Sequence, residues 1–138
     1  MTRPFSPIAI VGRACVLPGA LDVTAFSTLV REGRDGLTVA PDDRWGLARH
    51  RVLTTPDAPS GDRAWSDRGG YVRGFEDVFD PTGFGLDARE VTALDPLFQW
   101  TLHVAREALR DAAVDPAEHC TGAALGNLSF PTAALARY

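Results

Sequence analysis

The sequence contains no lysine, since all fourteen of its basic residues are arginine. This absence excludes Schiff-base and general-base catalysis by a lysine amine. Cysteine is also scarce: the chain has only Cys15 and Cys120, which lie far apart. Two distant cysteines cannot form the dense disulfide framework of a small secreted domain, so we expect a cytoplasmic protein with reduced thiols.

Long apolar runs and clusters of positive charge are missing as well. No stretch approaches the roughly 18 apolar residues that span a bilayer, so we expect no membrane segment. Residues 1–7 are too polar to begin a secretory signal. The net charge is −4 and no basic cluster alternates with aromatic residues, so we expect no nucleic-acid partner.

The overall composition is that of a globular protein. Hydrophobic residues make up 45% of the chain and charged residues 23%, which excludes a disordered polymer. A chain of 138 residues suffices for one domain with a core, or forms part of a larger one.

Capping residues predict three helices. Asp22 is typical of an N-cap, and Gly33 of a C-terminal stop, for a helix over about residues 23–32. Asp87 and Glu90 have the spacing of a capping box, which predicts a short helix to about residue 93. Asp95 followed by proline predicts the longest helix. Its apolar stripe, which we expect to pack in the core, comprises Phe98, Thr101, Leu102, Ala105, Ala108, Leu109 and Ala112.

Two apolar runs predict buried strands, at residues 8–11 and 123–128. Residues 34–68 show no sustained periodicity, and we expect a long irregular segment anchored by Trp45 and Trp65. So long a loop is uncommon in a small self-contained domain, which suggests that it lies across another surface. The order of strand, helix, irregular segment, helix and strand predicts an α/β protein.

The loop that follows the first predicted strand, residues 12–19, invites comparison with a phosphate-binding loop. Ala14 and Leu17 replace the second and third glycines of a dinucleotide site, and Pro18 removes an amide donor. A turn that leaves the strand explains the segment better than a nucleotide site does.

Other candidate reactive groups also have structural explanations. Cys15 has no histidine close in sequence to activate it, so packing beside the strand is favoured over nucleophilic catalysis. His103 and Glu107 lie one helical turn apart, which fits a surface pair better than an acid–base pair. Cys15, His119 and Cys120 lack the paired spacing of a zinc site, so we predict no bound metal.

Seven short segments, taken in their order along the chain, carry a resemblance to a known protein family. They are IAIVGRAC at residues 8–15, PGA at 18–20, GGYV at 69–72, FDP at 79–81, DARE at 87–90, LDP at 94–96 and TGAALGNLSF at 121–130. In this order they resemble the N-terminal part of a β-ketoacyl synthase, the carbon–carbon bond-forming domain of fatty acid and polyketide synthases. The resemblance covers roughly residues 6–138.

The finer resemblance is to ketosynthases of polyunsaturated fatty acid synthases and related iterative polyketide synthases. Trp100 and residues 127–131 are similar to that type. Leu97, Phe98 and Gln99 replace the two glutamines and the arginine that usually follow the Asp-Pro pair, which departs from ordinary modular polyketide synthases.

The resemblance implies a thiolase-like α/β fold, of which residues 1–138 form an incomplete domain with most of the N-terminal half. In the family, a cysteine and two histidines perform decarboxylative Claisen condensation, and they lie downstream of residue 138. His50, His103 and His119 match none of the family's histidine motifs. We therefore predict no catalytic, cofactor-binding or metal-binding residue in this chain.

The resemblance also implies the partners. The acyl chain arrives on the phosphopantetheine of an acyl carrier protein, and the chain would join the remaining ketosynthase half or other synthase domains, in a homodimer when complete. We expect the chain alone to be inactive and to expose apolar surface. The alternative is a non-catalytic half-fold that binds a ketosynthase or an acyl carrier protein.

Overall fold

The structure is a computed structural model in which residues 7–126 are described. These residues form two compact units, one made of residues 7–16 and 76–126 and the other of Leu17–Phe75. In chain order, the elements are α1 (Val23–Arg31), β1 (Thr38–Val39), a 3₁₀ turn (Asp42–Arg44), α2 (Arg49–Val52), β2 (Arg68–Gly69), α3 (Phe75–Val78), α4 (Ala88–Ala93) and α5 (Pro96–Ala112).

Helix α1 begins and ends where its caps predict. The Asp22 carboxylate accepts a hydrogen bond from the amide of Ala25 at 2.7 Å, which satisfies one of the free donors of the first turn. Gly33, just beyond the helix, has a φ of 63°, which glycine adopts without steric cost. The predicted helix is confirmed.

Residues 34–68 are more ordered than predicted. β1 and β2 pair antiparallel, with Thr38 opposite Gly69 and Val39 opposite Arg68. The Arg49 side chain on α2 donates to the carbonyl of Ala40 at 3.0 Å and pairs with a carboxylate of Asp67 at 3.1 Å. Elements of two to four residues show no periodicity in the sequence, which is why they were not predicted.

The two predicted tryptophan anchors of this segment differ. Trp45 is half-buried, whereas Trp65 is 71% exposed, so its predicted role as an anchor is wrong. The buried residues of the unit Leu17–Phe75 are instead Ala20, Ala40, Thr54 and Phe75.

The caps of α4 and α5 are also confirmed, with one change of partner. The Asp87 carboxylate accepts from the amide of Arg89 rather than from that of Glu90, at 2.7 Å. The Asp95 carboxylate accepts from the amide of Leu97 at 3.0 Å, with a proline in the first turn of α5. Aspartate therefore begins both helices.

Neither predicted strand forms among the described residues. Residues 8–11 are outside any strand, and Ile8 and Ile10 are 95% and 85% exposed. Residues 123–126 have no regular structure, Leu125 is 76% exposed, and residues 127–128 lie outside the described range. A strand requires a neighbour that pairs with its backbone, and β1–β2 is the one sheet within residues 7–126.

The buried side of α5 is not the predicted stripe. His103 is 6% exposed, whereas Leu102 and Leu109 are half-buried and Phe98 is 52% exposed. Of the described residues, only six are buried, and Val91 on α4 is the one with no exposure. None of the described helices has the length and apolar character needed to cross a membrane.

Candidate functional site

Arg106 lies at the centre of the best-defined side-chain cluster of its unit. It projects from α5, and its side chain is only 12% exposed. One guanidinium nitrogen, Nη1, donates to the carbonyls of Asp80 at 2.8 Å and Thr82 at 3.0 Å. The guanidinium carbon lies 4.6 Å from the centre of the Phe84 ring, within the range of a cation–π contact. Arg106 therefore fastens residues 80–84 to the long helix.

The segment that Arg106 holds has a defined turn of its own. A carboxylate oxygen of Asp80 accepts from the amide of Thr82 at 2.9 Å and from its hydroxyl at 2.7 Å. These two hydrogen bonds are the main reason why the pKa of Asp80 lies below its usual value, and Arg106 and Arg110 lower it further. Positive φ angles at Gly83 (79°) and Gly85 (72°) turn the chain on each side of Phe84.

His103 lies one turn before Arg106 on α5 and is buried. Its ring centre is 6.4 Å from that of Phe79, at an interplanar angle of 59°. Burial lowers the pKa of His103 below the usual 6.5; Arg106 and Arg110 act in the same direction and Glu107 in the opposite one. The predicted surface location of His103 is wrong, because the helix turns this residue toward Phe79.

Glu107 connects the two arginines of this helix. One of its oxygens, Oε1, lies 3.3 Å from Nε of Arg106 and 2.7 Å from Nη1 of Arg110. The Arg110 side chain is 61% exposed, so its pair contributes little to stability. Oε1 of this carboxylate is therefore engaged by two arginines. The predicted surface pair of His103 and Glu107 is wrong because His103 is buried.

A groove of about 540 Å³ runs beside this cluster. Most of its lining is apolar, and the residues involved include Phe84, Leu102, Ala105, Leu109, Val114 and Pro116. Within residues 7–126, no group of three or more histidine, cysteine or acidic side chains is arranged to hold a metal ion. The arrangement thus places an apolar groove beside the side chains that hold residues 80–84.

A second well-defined feature joins the N-terminal segment to α5. A Cβ atom added to Gly12 would lie 2.7 Å from the Cβ of Ala112 and still closer to the carbonyl oxygen of Ala108, so only glycine fits. The next amide, that of Arg13, donates to Oδ2 of Asp111 at 2.8 Å. The loop thus lies against the C-terminal half of a helix, whereas a phosphate-binding loop leads into a helix N-terminus.

The remaining residues singled out in the sequence occupy separate positions. His50 lies on α2 and is exposed, as is His119 in the turn after α5. Cys15 is half-buried and Cys120 is exposed. The interpretation of Cys15 as a packing residue stays a prediction.

Comparison with known proteins identifies the family to which the chain is similar. The profile described as "Beta-ketoacyl synthase, N-terminal domain" matches residues 5–135. The mycoketide-CoA synthase of Mycobacterium tuberculosis is 37% identical over 84% of this chain. Erythronolide synthase EryA2 of Saccharopolyspora erythraea is also 37% identical, over 90% of the chain.

A solved structure agrees with these sequence relatives. The PfaC keto synthase-chain length factor matches 75% of this chain with a TM-score of 0.65 and 30% identity. This chain covers 11% of that protein, and only 3% and 4% of the mycoketide-CoA and erythronolide synthases. The matched region is therefore a small part of each relative.

Proposed function

The chain belongs to the β-ketoacyl synthase family and has part of its thiolase-like fold, and we propose that it supplies the first part of a condensing domain, without the catalytic residues. The observation that carries the proposal is the match of residues 5–135 to the N-terminal domain of that family. The predicted resemblance and fold class are confirmed by the same match and by the structural neighbour.

The proposed reaction is decarboxylative Claisen condensation. A cysteine thiolate accepts an acyl group from a carrier-protein thioester, and the carrier thiol is released. Loss of CO₂ from malonyl-carrier protein then generates a carbanion, which attacks the enzyme-bound thioester and expels the cysteine thiolate. The chemistry needs an activated nucleophile and donors that stabilise the oxyanion. We assign these roles to a cysteine and two histidines outside this chain.

The role of the described residues in this proposal is that of a scaffold. Arg106 and Asp95 hold α5 and the segment beside it. The proposed partners are an acyl carrier protein bearing phosphopantetheine, the rest of the condensing domain and a second copy of that domain, in the cytoplasm. Similarity to the PfaC keto synthase-chain length factor supports the finer proposal of a polyunsaturated fatty acid or iterative polyketide type.

A chimeric domain tests the proposal. In it, this chain replaces the matching region of the erythronolide synthase EryA2 domain, to which it is 37% identical. The purified chimeric domain is incubated with acyl- and malonyl-carrier protein, and the elongated product is measured by mass spectrometry. The control is the same EryA2 domain with the region deleted.

We expect elongated product from the chimeric domain and none from the deleted control. A folded chimeric domain that forms no product would contradict a scaffold role in condensation. Such a domain that still bound the carrier protein would instead support the alternative, a non-catalytic binding module.

A further inference from the structure

Residues 79–84, which we call the strap, lie against α5 beside the groove. Gly83 and Phe84 line that groove. Phe79 and Phe84 stand at the two ends of the strap, and their ring centres are 6.4 Å apart at an interplanar angle of 25°. The strap is therefore an aromatic wall of the groove, and a movement of the strap changes the shape of the groove.

The two ends of the strap contact two basic side chains of α5 that are one helical turn apart. At one end, Arg106 donates to two backbone carbonyls of the strap and lies over the Phe84 ring. At the other end, the Phe79 ring contacts that of His103. Arginine stays charged at every pH at which proteins fold, whereas histidine titrates near neutrality. The charge next to Phe84 is thus constant, and the charge next to Phe79 depends on pH.

We propose that the strap is a pH-dependent latch on the groove, which is closed while His103 is neutral and which releases its Phe79 end when His103 takes up a proton. Arg106 keeps the Phe84 end in place. Gly83 and Gly85 have positive φ angles on each side of Phe84, and glycine permits changes of backbone torsion there. The latch is a property of the described residues and does not depend on the proposed role in condensation.

Burial makes a protonated His103 unfavourable while the strap is closed. The residue is 6% exposed, so a charge on its ring loses most of its hydration. Burial lowers the pKa of His103 most; Glu107 opposes this shift, whereas Arg106 and Arg110 add to it. The Phe79 ring compensates little, because its centre lies 6.4 Å from that of His103, outside the cation–π range of about 6 Å.

The sign of the effect follows from this lowered pKa. A released His103 is hydrated and returns to its usual pKa of 6.5, so the proton binds more tightly to the open strap than to the closed one. The closed strap is favoured above pH 6.5 and loses this advantage as the pH falls through the lowered pKa. Asp80 of the strap stays ionised in this range, because the amide and hydroxyl of Thr82 keep its pKa below 3.8.

Hydroxyl-radical footprinting of the full chain tests the latch. Tandem mass spectrometry measures the oxidation rates of the Phe79 and Phe84 rings separately, at pH 7 and at pH 5. We expect the Phe79 rate to rise at least about threefold at pH 5, as the open strap becomes populated, and the Phe84 rate to stay nearly constant. Phe26 on α1, which is 40% exposed, is the internal reference for general unfolding.

Histidine variants make the test specific. His103→Phe keeps an aromatic ring next to Phe79 but cannot take up a proton, so its Phe79 rate should be the same at both pH values. His103→Gln is a second neutral variant with the same expected result. His119→Gln is the control, since His119 is exposed, and it should keep the rise of the parent chain.

Three results would overturn the inference. The first is a Phe79 rate that does not rise in the parent chain at pH 5. The second is an equal rise in the parent and in both His103 variants. The third is a rise that Phe26 shares, which would mean that the chain unfolds generally. Each of these results leaves the proposed function standing.

Discussion

At the residue scale, Arg106 shows how one side chain joins segments that are distant in sequence. Its guanidinium donates hydrogen bonds to two backbone carbonyls and lies over one aromatic ring. A lysine ammonium cannot reproduce this geometry. The exposed Arg110, one turn later, pairs with Glu107. Burial and geometry therefore separate two arginines that look equivalent in the sequence.

Arg106→Lys is expected to destabilise the chimeric domain by about 1–2 kcal/mol, since a lysine ammonium cannot keep both carbonyl hydrogen bonds and the contact with the Phe84 ring. Arg110→Lys, the matched control, should change stability by less than about 0.5 kcal/mol because that pair is exposed. Urea unfolding curves of both variants measure the difference. Equal midpoints for the two variants would show that Arg106 does not fasten residues 80–84.

His103 predicts how stability depends on pH. Because burial lowers its pKa in the folded state, the fold favours neutral histidine, and stability falls as the pH drops below the usual 6.5. The lowered pKa of Asp80 adds a loss only at more acidic pH, below its usual 3.8. Between pH 7 and 5, His103→Gln should therefore reduce the loss of stability.

Urea midpoints of the chimeric domain at pH 7 and pH 5 measure this effect. His119→Gln is the control, since His119 is exposed. If the His103 and His119 variants lose the same stability as the parent between the two pH values, the buried histidine is not responsible.

Residue contacts of this kind could not be predicted from the sequence. Arg106 reaches carbonyls 24 and 26 positions away, and Gly12 depends on the surface of a helix about a hundred residues later. Only the fold brings these groups together. The burial of His103 was missed for the same reason, since its partner Phe79 lies in another segment.

At the scale of elements, the sequence predicted α1, α4 and α5, but neither the short helices α2 and α3 nor the strands. The caps at Asp22 and Asp95 act on amides two or three residues away, so their chemistry is local. Residues 8–11 have the composition of a strand, but a strand also requires a partner, which is absent among the described residues. Local signals thus predict where a helix begins, whereas pairing depends on the complete sheet.

The N-cap of α5 gives the test at this scale. Asp95→Ala is expected to destabilise the chimeric domain by about 1 kcal/mol, because the amide of Leu97 loses its acceptor. Asp57→Ala, in an exposed turn, should have little effect. The urea midpoints of the two variants measure the difference in stability. An Asp95 variant as stable as the Asp57 variant would mean that the cap does not stabilise α5.

At the scale of the whole molecule, the small number of buried residues and the exposed apolar segment agree with a role as part of a larger domain. The chain matches the N-terminal domain of the family over residues 5–135, yet covers only a few per cent of the synthases it resembles. Its described residues organise α5 and the N-terminal segment. The central claim is that this scaffold serves condensation while the nucleophile lies elsewhere.

The position of the acyl group tests that claim most directly. The chimeric domain is incubated with acyl-carrier protein alone, digested and mapped by mass spectrometry to find the acylated cysteine. We predict one thioester, on a cysteine of the EryA2 part, with Cys15 and Cys120 unmodified. A thioester on Cys15 or Cys120, or a folded chimeric domain that carries none, would contradict the account.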